Sequence, residues 1–480
     1  MNISSNISLK SSPKTYTQDL DKAIPPAETV KNVKAVLQRI DLKLVNDISR
    51  IDYRRLDIPV YVCEAGKDCN TPGRKTMGKG SSPEQAEASA LMELIERFSH
   101  ANYPHSHKFR TGRYSDFEQF SIPFDRIFHV PHRKSFVPEE NKEKFKELSF
   151  CWLPAYSLLQ KKDFMIPYEW FADIQGTNGL SAGNTLEEAV LQGLSEVIER
   201  HVSSVINCER RSVPTIDLAS VRDPVARDLI RKYIYNGIEL FIKDFSMNIG
   251  IPTIAGIAFD PSSYPQSMVV MCAATATHPE KALIRVLTEI QQMAIDYFKQ
   301  DYYAGGILPK FYDIREAEYL ISNNKTVSID ELPDVSDNDI LIELENYTKA
   351  LDAIDFEPIV IDTTHPVLRI PSVFVLVPGS ELYDNSKCDL NSYYYLARRM
   401  QHTGNFEKAI ENYRLSISRH PASSCHANFE MGECFRHLKE YQEASDCYKT
   451  SLRYSPDRNM QYRIFDSLTK CNQLLQPASL

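Results

Sequence analysis

Apolar residues recur at helical spacing in some parts of the chain and form short continuous runs in others. After Pro26, the residues Val30, Val33 and Val36 make an apolar stripe that predicts a helix. Runs of strand length predict β-strands at Ile58–Cys63, Gly237–Ile242, Ile251–Phe259, Met268–Ala273, Phe356–Asp362 and Ser372–Val377. Because helices and strands are mixed along the chain, we predict an α+β fold.

The two ends of the chain differ from its middle. Residues 1–20 are polar, which is typical of a disordered lead-in. Residues 21–385 carry the mixed pattern and are expected to form one body, from which the acidic stretch 314–346 makes a surface excursion. Residues 390–480 carry helical patterns and are expected to form a separate domain.

This C-terminal region repeats itself at an offset of 35 residues. The matching pairs are Phe406 and Tyr441, Ala409 and Ala444, Tyr413 and Tyr448, and Pro421 and Pro456. The pattern resembles the tetratricopeptide helix pair, with small alanines where the helices cross and a proline after the second helix. Two repeats and a final helix from about 459 to 475 would form a small all-α array, which favours partner binding or self-association. The alternative is a helical cap that only stabilises the body.

Composition narrows the class of protein. A length of 480 residues exceeds one ordinary core, so two or three domains are expected. The formal net charge of −9 gives no general attraction to nucleic acid or membrane, and no apolar run approaches the ~20 residues that cross a bilayer. Ten cysteines are scattered without a CxxC pair or a secretion signal, which indicates reduced thiols in a cytoplasmic protein.

A second internal match, at an offset of 103 residues, is the most informative feature of the chain. The segment Gly80–Arg97 aligns without gaps to Gly183–Arg200, with eight identical positions. Each copy begins with glycine and a polar capping residue and continues with a helical pattern. Each also contains two glutamates three residues apart, followed by arginine. These glutamates are Glu93, Glu96, Glu196 and Glu199.

Residues three apart lie on the same face of a helix, so the two glutamates of each copy project together. If the copies pack around a pseudo-symmetric centre, four carboxylates face one another and repel unless cations compensate them. Magnesium is the natural cation, because it takes oxygen ligands and is commonly shared between carboxylates and nucleotide phosphates. For one copy alone, a solvated helix face would be the simpler interpretation; the duplication argues against it.

A weaker third copy, at Pro279–Gln292, places Arg285 where the second copy has Gln192, and Glu289 where it has Glu196. The guanidinium of Arg285 is suited to phosphate oxygens. Lys79, which precedes the first helix, is a further candidate phosphate contact. A P-loop fold is rejected, because glycine stands after Lys79 where Ser or Thr would bind magnesium.

These segments resemble the YcaO family of ATP-using enzymes, from about Lys22 to Leu382. The resemblance rests on GKGSSPEQAEASALMELIER, TNGLSAGNTLEEAVLQGLSEVIERH, THPEKALIRVLTEIQQ and IPSVFVLVPGSELYD. It implies a YcaO-type body with ATP and Mg2+ as cofactors, the Mg2+ being held by Glu93, Glu96, Glu196 and Glu199. The residues that it implies for the nucleotide and phosphate pocket are Lys22, Thr29, Lys79, Ser89, Asn184, Gln192, Arg285 and Glu289.

The resemblance also implies a reaction, in which a backbone amide oxygen of a protein or peptide is phosphorylated and a nucleophile then completes the modification. A neighbouring Cys, Ser or Thr side chain gives an azoline, and an external sulfur donor gives a thioamide. Many azoline-forming members end in a Pro-rich tail that this chain lacks, so thioamidation or a related sulfur transfer is expected. The alternatives are an azoline-forming cyclodehydratase and a nucleotide-binding accessory protein that recruits another modifying enzyme, such as a ribosomal-protein methylthiotransferase.

The sequence leaves the general base unassigned. His201 and His278 adjoin the repeated segments, but a structural histidine is the more common case for each. The resemblance and the repeats favour a homodimer. Since almost everything before Lys22 is low in apolar residues, no leader-binding domain is expected there. We therefore expect a partner protein that supplies sulfur or recognises the substrate.

Overall fold

The computed structural model describes residues 3–16, 22–39, 43–52, 55–67, 69–71, 74–128, 139–263, 269–296, 311, 313–323, 325–381, 391–454 and 458–475. The α-helices are α1 Pro26–Arg39, α2 Pro83–Ser106, α3 Tyr114–Phe117, α4 Phe124–Ile127, α5 Glu139–Lys146, α6 Tyr168–Gln175, α7 Leu186–Glu209, α8 Pro224–Tyr235, α9 Pro279–Asp296, α10 Glu318–Ile321, α11 Ile340–Asp352, α12 Ser392–His402, α13 Phe406–Arg419, α14 Ser424–His437, α15 Tyr441–Leu452 and α16 Arg458–Leu475. The strands are β1 Val45–Arg50, β2 Val60–Ala65, β3 Lys75–Lys79, β4 Arg110–Gly112, β5 Phe150–Ser157, β6 Lys162–Pro167, β7 Leu180–Ala182, β8 Thr215–Ile216, β9 Glu239–Asp244, β10 Thr253–Phe259, β11 Val269–Thr275, β12 Thr326–Val327, β13 Ile359–Asp362 and β14 Ser372–Leu376.

The chain forms two compact units. Unit 1 comprises Met1–Arg110 and Trp152–Tyr383, and unit 2 comprises Thr111–Cys151 and Asp384–Leu480. Among the described residues, no helix is both long and apolar enough to span a lipid bilayer.

Unit 1 contains the sheets that carry the repeated helices. One sheet has the antiparallel order β1-β2-β3, and a second has the order β11-β10-β9-β8-β12. In the third, β13 lies between β5 and β14, and β7 pairs with the other edge of β14, all antiparallel. The six predicted strands are present as β2, β9, β10, β11, β13 and β14, with ends that differ from the prediction by at most three residues.

The duplicated helices use equivalent apolar residues to pack on different sheets. In α2, Leu91, Leu94 and Ile95 are buried against the first sheet, in one cluster with residues of β2. In α7, the equivalent buried residues share a cluster with β10, β11 and β14. These equivalents are Leu194, Val197 and Ile198. The apolar face that packs each helix therefore repeats together with its acidic face.

The expectation of a disordered lead-in over residues 1–20 is wrong for residues 3–16. This segment runs over unit 1 with little helix or strand, and its polar groups find polar partners far away in sequence. The backbone N–H of Ser12 donates to Asp339 at 2.8 Å, and the ammonium of Lys14 lies 2.5 Å from a carboxylate oxygen of Glu343. Low apolar content did not prevent ordering here, because hydrogen bonds and an ion pair hold the segment and its apolar residues Ile7 and Leu9 pack against the core. Residues 17–20 lie outside the described residues.

The acidic stretch 314–346 also differs from the surface excursion that we expected. It includes α10 and β12, and its end is the beginning of α11, where Ile340 and Leu344 are fully buried. The acidic side chains obscured the apolar stripe of this helix in the sequence. The stretch is therefore part of the packed structure of unit 1.

Unit 2 contains α12–α16, and each of these helices packs on the next. Ala409, Ala444, Tyr413 and Tyr448 are fully buried, as the repeat pattern requires, and α16 matches the predicted final helix. The assignment to the tetratricopeptide class stays a prediction. The expected body of 21–385 included residues 111–151, but these belong to unit 2, where Asn141 donates to the Ser392 hydroxyl at 2.9 Å.

Candidate nucleotide site

The two repeated helices begin in the same way. Each follows a short strand and a tight turn, β3 before α2 and β7 before α7. The Ser82 hydroxyl caps α2 by accepting the N–H of Gln85 at 3.2 Å, and the Thr185 hydroxyl caps α7 by accepting the N–H of Glu188 at 3.1 Å. Such caps satisfy N–H groups that have no partner inside a helix.

The glycine that opens each copy is required by close packing. A Cβ on Gly80 would lie 2.7 Å from the backbone nitrogen of Ala86, and a Cβ on Gly183 would lie 2.4 Å from that of Ala189. Real Cβ atoms do not approach backbone so closely, so no other residue fits without a shift of the helix. The turn therefore brings each preceding strand close to the first turn of its helix.

The paired glutamates are held in equivalent networks. Glu93 accepts the backbone N–H of Met77 at 3.2 Å, and Glu196 accepts that of Gly179 at 3.2 Å. In α2, Arg97 lies 3.4 Å from both glutamates; in α7, Arg200 lies 3.6 Å from Glu196 and 3.4 Å from Glu199. Neither arginine was predicted as a site residue, although the identical arginines at the end of each repeat were a usable indication.

The third copy, in α9, meets the other two. Arg285 donates from Nη1 to the side-chain oxygen of Gln192 at 2.9 Å, and the ammonium of Lys79 pairs with Glu289. Residues that precede α2, lie on α7 and lie on α9 are thus connected in one place.

One cavity of about 340 Å³ lies among these helices. All twelve residues predicted for the site line it: Lys22, Thr29, Lys79, Ser89, Glu93, Glu96, Asn184, Gln192, Glu196, Glu199, Arg285 and Glu289. Lining residues that the sequence reasoning missed include Gln85, Arg97, Glu188, Arg200, Lys281, Thr288 and Gln292. The roles of the twelve in binding remain predictions, while their convergence is a property of the fold.

Lys22 and Thr29, the predicted site residues nearest the N-terminus, contact residues of the second copy at the cavity. Thr29 donates to the side chain of Asn184 at 2.9 Å, and the ammonium of Lys22 lies 3.8 Å from Glu188. Glu188, which is 5% exposed, also accepts the backbone N–H of Ala23 at 3.0 Å. The structure therefore makes Glu188 the organising residue at this side of the cavity.

The charges of the buried acidic groups in the cavity are not fully compensated by the protein's own side chains. Burial raises the pKa of Glu96 well above its ordinary value; Arg97 opposes this, and the nearby charges of Glu196 and Glu93 add to it. Burial likewise raises the pKa of Glu199 to about 7 against the opposing charge of Arg200. Desolvation of this kind penalises the charged form of a carboxyl group, so a cation would be favoured here.

Glu289 differs from Glu96 and Glu199. Burial acts to raise the pKa of its carboxyl, but the charges of Lys79 and Arg200 outweigh burial and the pKa is lowered. It therefore remains ionised next to the ammonium of Lys79.

The donor set fits magnesium that is shared with a nucleotide. Within the described ranges, no three carboxylate, imidazole or thiol groups converge tightly enough to hold a metal ion by themselves. Mg2+ commonly takes only one or two carboxylates and completes its octahedron with water and phosphate oxygens. Glu93, Glu96, Glu196 and Glu199 offer oxygen donors from two sides of the cavity, which suits such shared coordination.

The two histidines next to the repeated segments have structural partners. His201 accepts the backbone N–H of Glu381 at 2.9 Å, and burial lowers its pKa to about 4. His278 accepts the N–H of Glu280 at 3.2 Å at the start of α9. Neither lines the cavity, and no general base is assigned.

Comparison with known families identifies the fold. A family model described as YcaO cyclodehydratase, ATP- and Mg2+-binding, matches residues 77–381, which is more than half of the chain. The chain belongs to the YcaO family. YcaO members are ATP-dependent enzymes of the cyclodehydratase type, and the prediction of ATP and Mg2+ as cofactors is confirmed.

Relatives and solved structures agree with this assignment. An uncharacterised protein of Methanothermobacter thermautotrophicus is 27% identical and covers 75% of this chain and 95% of its own length. The ribosomal protein S12 methylthiotransferase accessory factor YcaO of Escherichia coli is 29% identical over 45% of this chain and 40% of its own length.

Two solved structures share the fold. YcaO from Methanopyrus kandleri, bound with AMPPCP and Mg2+, has a TM-score of 0.58 and 23% identity, and covers 77% of this chain and 94% of its own. A heterocyclase in complex with substrate and cofactor has a TM-score of 0.64 and 20% identity, and covers 78% of this chain and 54% of its own. The assignment of the fold therefore does not depend on a single solved structure.

Proposed function

We propose that this YcaO protein uses magnesium ATP to activate a backbone amide oxygen in a protein or peptide, and that a sulfur donor then converts the amide to a thioamide. The observation that carries the proposal is the convergence of two duplicated acidic helices and a third helix with Arg285 on one cavity. An acidic face on one helix needs no ligand, whereas buried acidic groups that face one another with raised pKa values are favoured in their ionised form only when cations compensate them.

We propose that the basic residues of the cavity bind phosphate and that its acidic residues bind magnesium. Lys79 and Arg285 would bind phosphate oxygens, and the four paired glutamates would hold magnesium, which lowers the repulsion between phosphates and carboxylates when it is bound. Arg97 and Arg200 fix the orientation of these glutamates, since each lies within 3.6 Å of both members of its pair. Lys22 and Thr29 would complete the nucleotide pocket from the N-terminal side.

The proposed reaction has two steps, phosphorylation of the amide oxygen and its replacement by sulfur. The amide oxygen bonds to the terminal phosphorus of ATP as the bond to the ADP oxygen breaks, and the amide proton is released. A sulfide-equivalent donor adds to the amide carbon, a proton returns to nitrogen, and phosphate leaves with the former amide oxygen. The products are a thioamide, ADP and phosphate.

The C-terminal helices support the choice of thioamide over azoline. Residues 391–454 and 458–475 form α12–α16, and such a helical extension resembles YcaO members outside natural-product clusters. We propose that these helices are tetratricopeptide-like and bind the substrate, a sulfur-supplying partner or a second copy of the chain.

The test is to incubate the purified protein with ATP, Mg2+ and sulfide, with and without soluble protein fractions from the source cells. We expect ADP and phosphate only with a particular fraction, and a protein in that fraction whose mass changes by exchange of oxygen for sulfur. Glu93→Gln should abolish turnover, while Glu84→Gln, at an exposed position of the same helix, should not. Loss of water from the substrate would indicate an azoline, and release of AMP would contradict amide phosphorylation.

A second candidate is a nucleotide-binding accessory protein, which the likeness to the Escherichia coli accessory factor favours. In that case the protein would bind ATP and Mg2+, yet show no turnover in any fraction. It would then co-purify with a modifying enzyme, and deletion of α12–α16 would remove that association.

A further inference from the structure

We propose that residues 3–16 form a strap that positions the N-terminal side of the nucleotide cavity, with Lys14 and Glu343 as its positioning pair. The inference rests on the proposed binding of nucleotide in that cavity. It concerns affinity for the nucleotide and not the reaction that follows.

The strap is anchored on α11. Lys14 and Glu343 approach to 2.5 Å, with side chains that are 5% and 0% exposed. Asp339 caps α11 by accepting the N–H of Leu341 at 2.9 Å, and the same oxygen accepts the N–H of Ser12 from the strap at 2.8 Å. The helix cap and the strap therefore share one carboxylate.

The strap is also anchored on α7, which carries the second acidic pair. The N–H of Lys10 donates at 2.8 Å to Glu187, a side chain that is 1% exposed. The Ser12 hydroxyl lies 3.1 Å from that of Thr185, the residue that caps α7. The strap thus touches the start of the helix whose next turns line the cavity.

From Lys14 the connection to the cavity is short. The backbone N–H of Thr15 donates to the Ala23 carbonyl at 3.3 Å, and the Thr15 hydroxyl donates to the same oxygen at 2.5 Å. Ala23 in turn donates its N–H to Glu188 at 3.0 Å, and the neighbouring Lys22 lines the cavity. Displacement of Thr15 would therefore remove two of the hydrogen bonds that hold Ala23 and would loosen its neighbour Lys22.

Buried carboxylates explain why the strap should stay in place. Without residues 3–16, Glu343 and Glu187 would lose their strap partners, and a buried charge without a partner is costly. The strap carries the matching ammonium and N–H groups, so its binding to unit 1 is favoured by the groups that it covers. Its role is consequently tied to the folded body and extends to the site through Ala23.

The experiment measures the affinity of the full-length protein for Mg2+–AMPPCP by calorimetry. Lys14→Met and Thr15→Val should each weaken binding by about tenfold, as expected if only about a tenth of the molecules keep Lys22 in place. Glu345→Gln is the matched control, because Glu345 lies on the same helix in an exposed ion pair with Lys161. Thr15→Val is the milder variant and keeps the test valid if Lys14→Met fails to fold.

Hydrogen exchange supplies a readout that general destabilisation would not give. In both strap variants the amide of Ala23 should exchange faster, while amides of β10 in the core should not. Where turnover is measurable, the KM for ATP should rise with little change in kcat. Folded variants that bind Mg2+–AMPPCP as tightly as the wild type would overturn the inference, even if their stability is reduced. Failure of the wild type to bind would instead refute the proposed nucleotide site, and the inference with it.

Discussion

Replacement of Glu199 by Gln should stabilise the nucleotide-free protein at alkaline pH and weaken its binding of magnesium nucleotide. The side chain of Glu199 is 6% exposed and lies 3.4 Å from Arg200. Burial nevertheless raises its pKa to about 7 from the ordinary 4.5. The folded protein therefore tolerates the ionised form poorly, while the unfolded chain does not discriminate in this way.

The sign of the pH dependence follows from linkage. Because the folded pKa is raised, the folded state binds a proton more tightly than the unfolded state between about pH 4.5 and 7. The resulting stability is fully present below 4.5 and is lost as the pH rises through about 7. Glutamine does not ionise, so the variant should not lose this contribution.

The size of the effect has a ceiling set by the two pKa values. The interval from 4.5 to about 7 corresponds to about 3 kcal/mol at 25 °C. Arg200 loses one carboxylate partner in the variant but keeps Glu196 at 3.6 Å, which reduces the gain. We expect a net increase of roughly 1–2 kcal/mol in the free energy of unfolding at pH 8, and almost none at pH 4.5.

Urea unfolding in EDTA, followed by tryptophan fluorescence, measures this difference. The two tryptophans, Trp152 and Trp170, are both buried in unit 1, so the signal reports the unit that contains the cavity. Addition of Mg2+–AMPPCP should stabilise the wild type more than Glu199→Gln. If the variant is less stable than the wild type at pH 8, or if both lose stability equally with rising pH, the electrostatic account of the cavity is wrong.

Three further predictions test the packing around this site and outside it. Gly183→Ala should destabilise unit 1 by about 1–3 kcal/mol, because its Cβ would lie 2.4 Å from the Ala189 nitrogen; urea unfolding by tryptophan fluorescence checks this. Gly432→Ala should destabilise unit 2 by a similar amount, because its Cβ would lie 2.5 Å from the Tyr448 ring, while calorimetry should show unchanged Mg2+–AMPPCP affinity. His201 has a pKa lowered to about 4 by burial, so the wild type should lose stability as the pH falls from about 6.5 towards 4; His201→Asn should remove that loss in acid unfolding curves and leave any pH profile of ATP turnover unchanged.

The internal duplication allowed the centre of the site to be predicted from sequence. Helical periodicity determines which residues share a face of a helix. The second copy then shows which face of one helix is equivalent to which face of the other. Glu93 and Glu196 could therefore be assigned together, and the structure places them in one cavity. Strand positions were also accessible, because short apolar runs identify them, but the order of strands in the sheets depends on long-range pairing that no local pattern contains.

The N-terminal segment shows where such reasoning stops. Its overall polar composition predicted disorder, although it carries Ile7 and Leu9, which are partly buried against a hydrophobic core cluster of unit 1. It is also held by carboxylates that are distant in sequence, Glu187, Asp339 and Glu343, which come close to it only in the folded state. Two of these three carboxylates, Asp339 and Glu343, lie in the acidic stretch 314–346. Part of the acidity of that stretch therefore serves to bind the N-terminal segment.

The two copies differ where their surroundings differ. Gln85 and Glu188 are equivalent, and each accepts the backbone N–H of the residue after the opening glycine, at 2.7 Å from Ser81 and 3.3 Å from Asn184. Glu188 alone must also accept the N–H of Ala23, and a carboxylate has two acceptor oxygens where an amide has one. The change from neutral Gln85 to the buried acid Glu188 therefore accompanies a contact that only the second copy makes. That contact is with the segment containing Lys22, which lines the cavity.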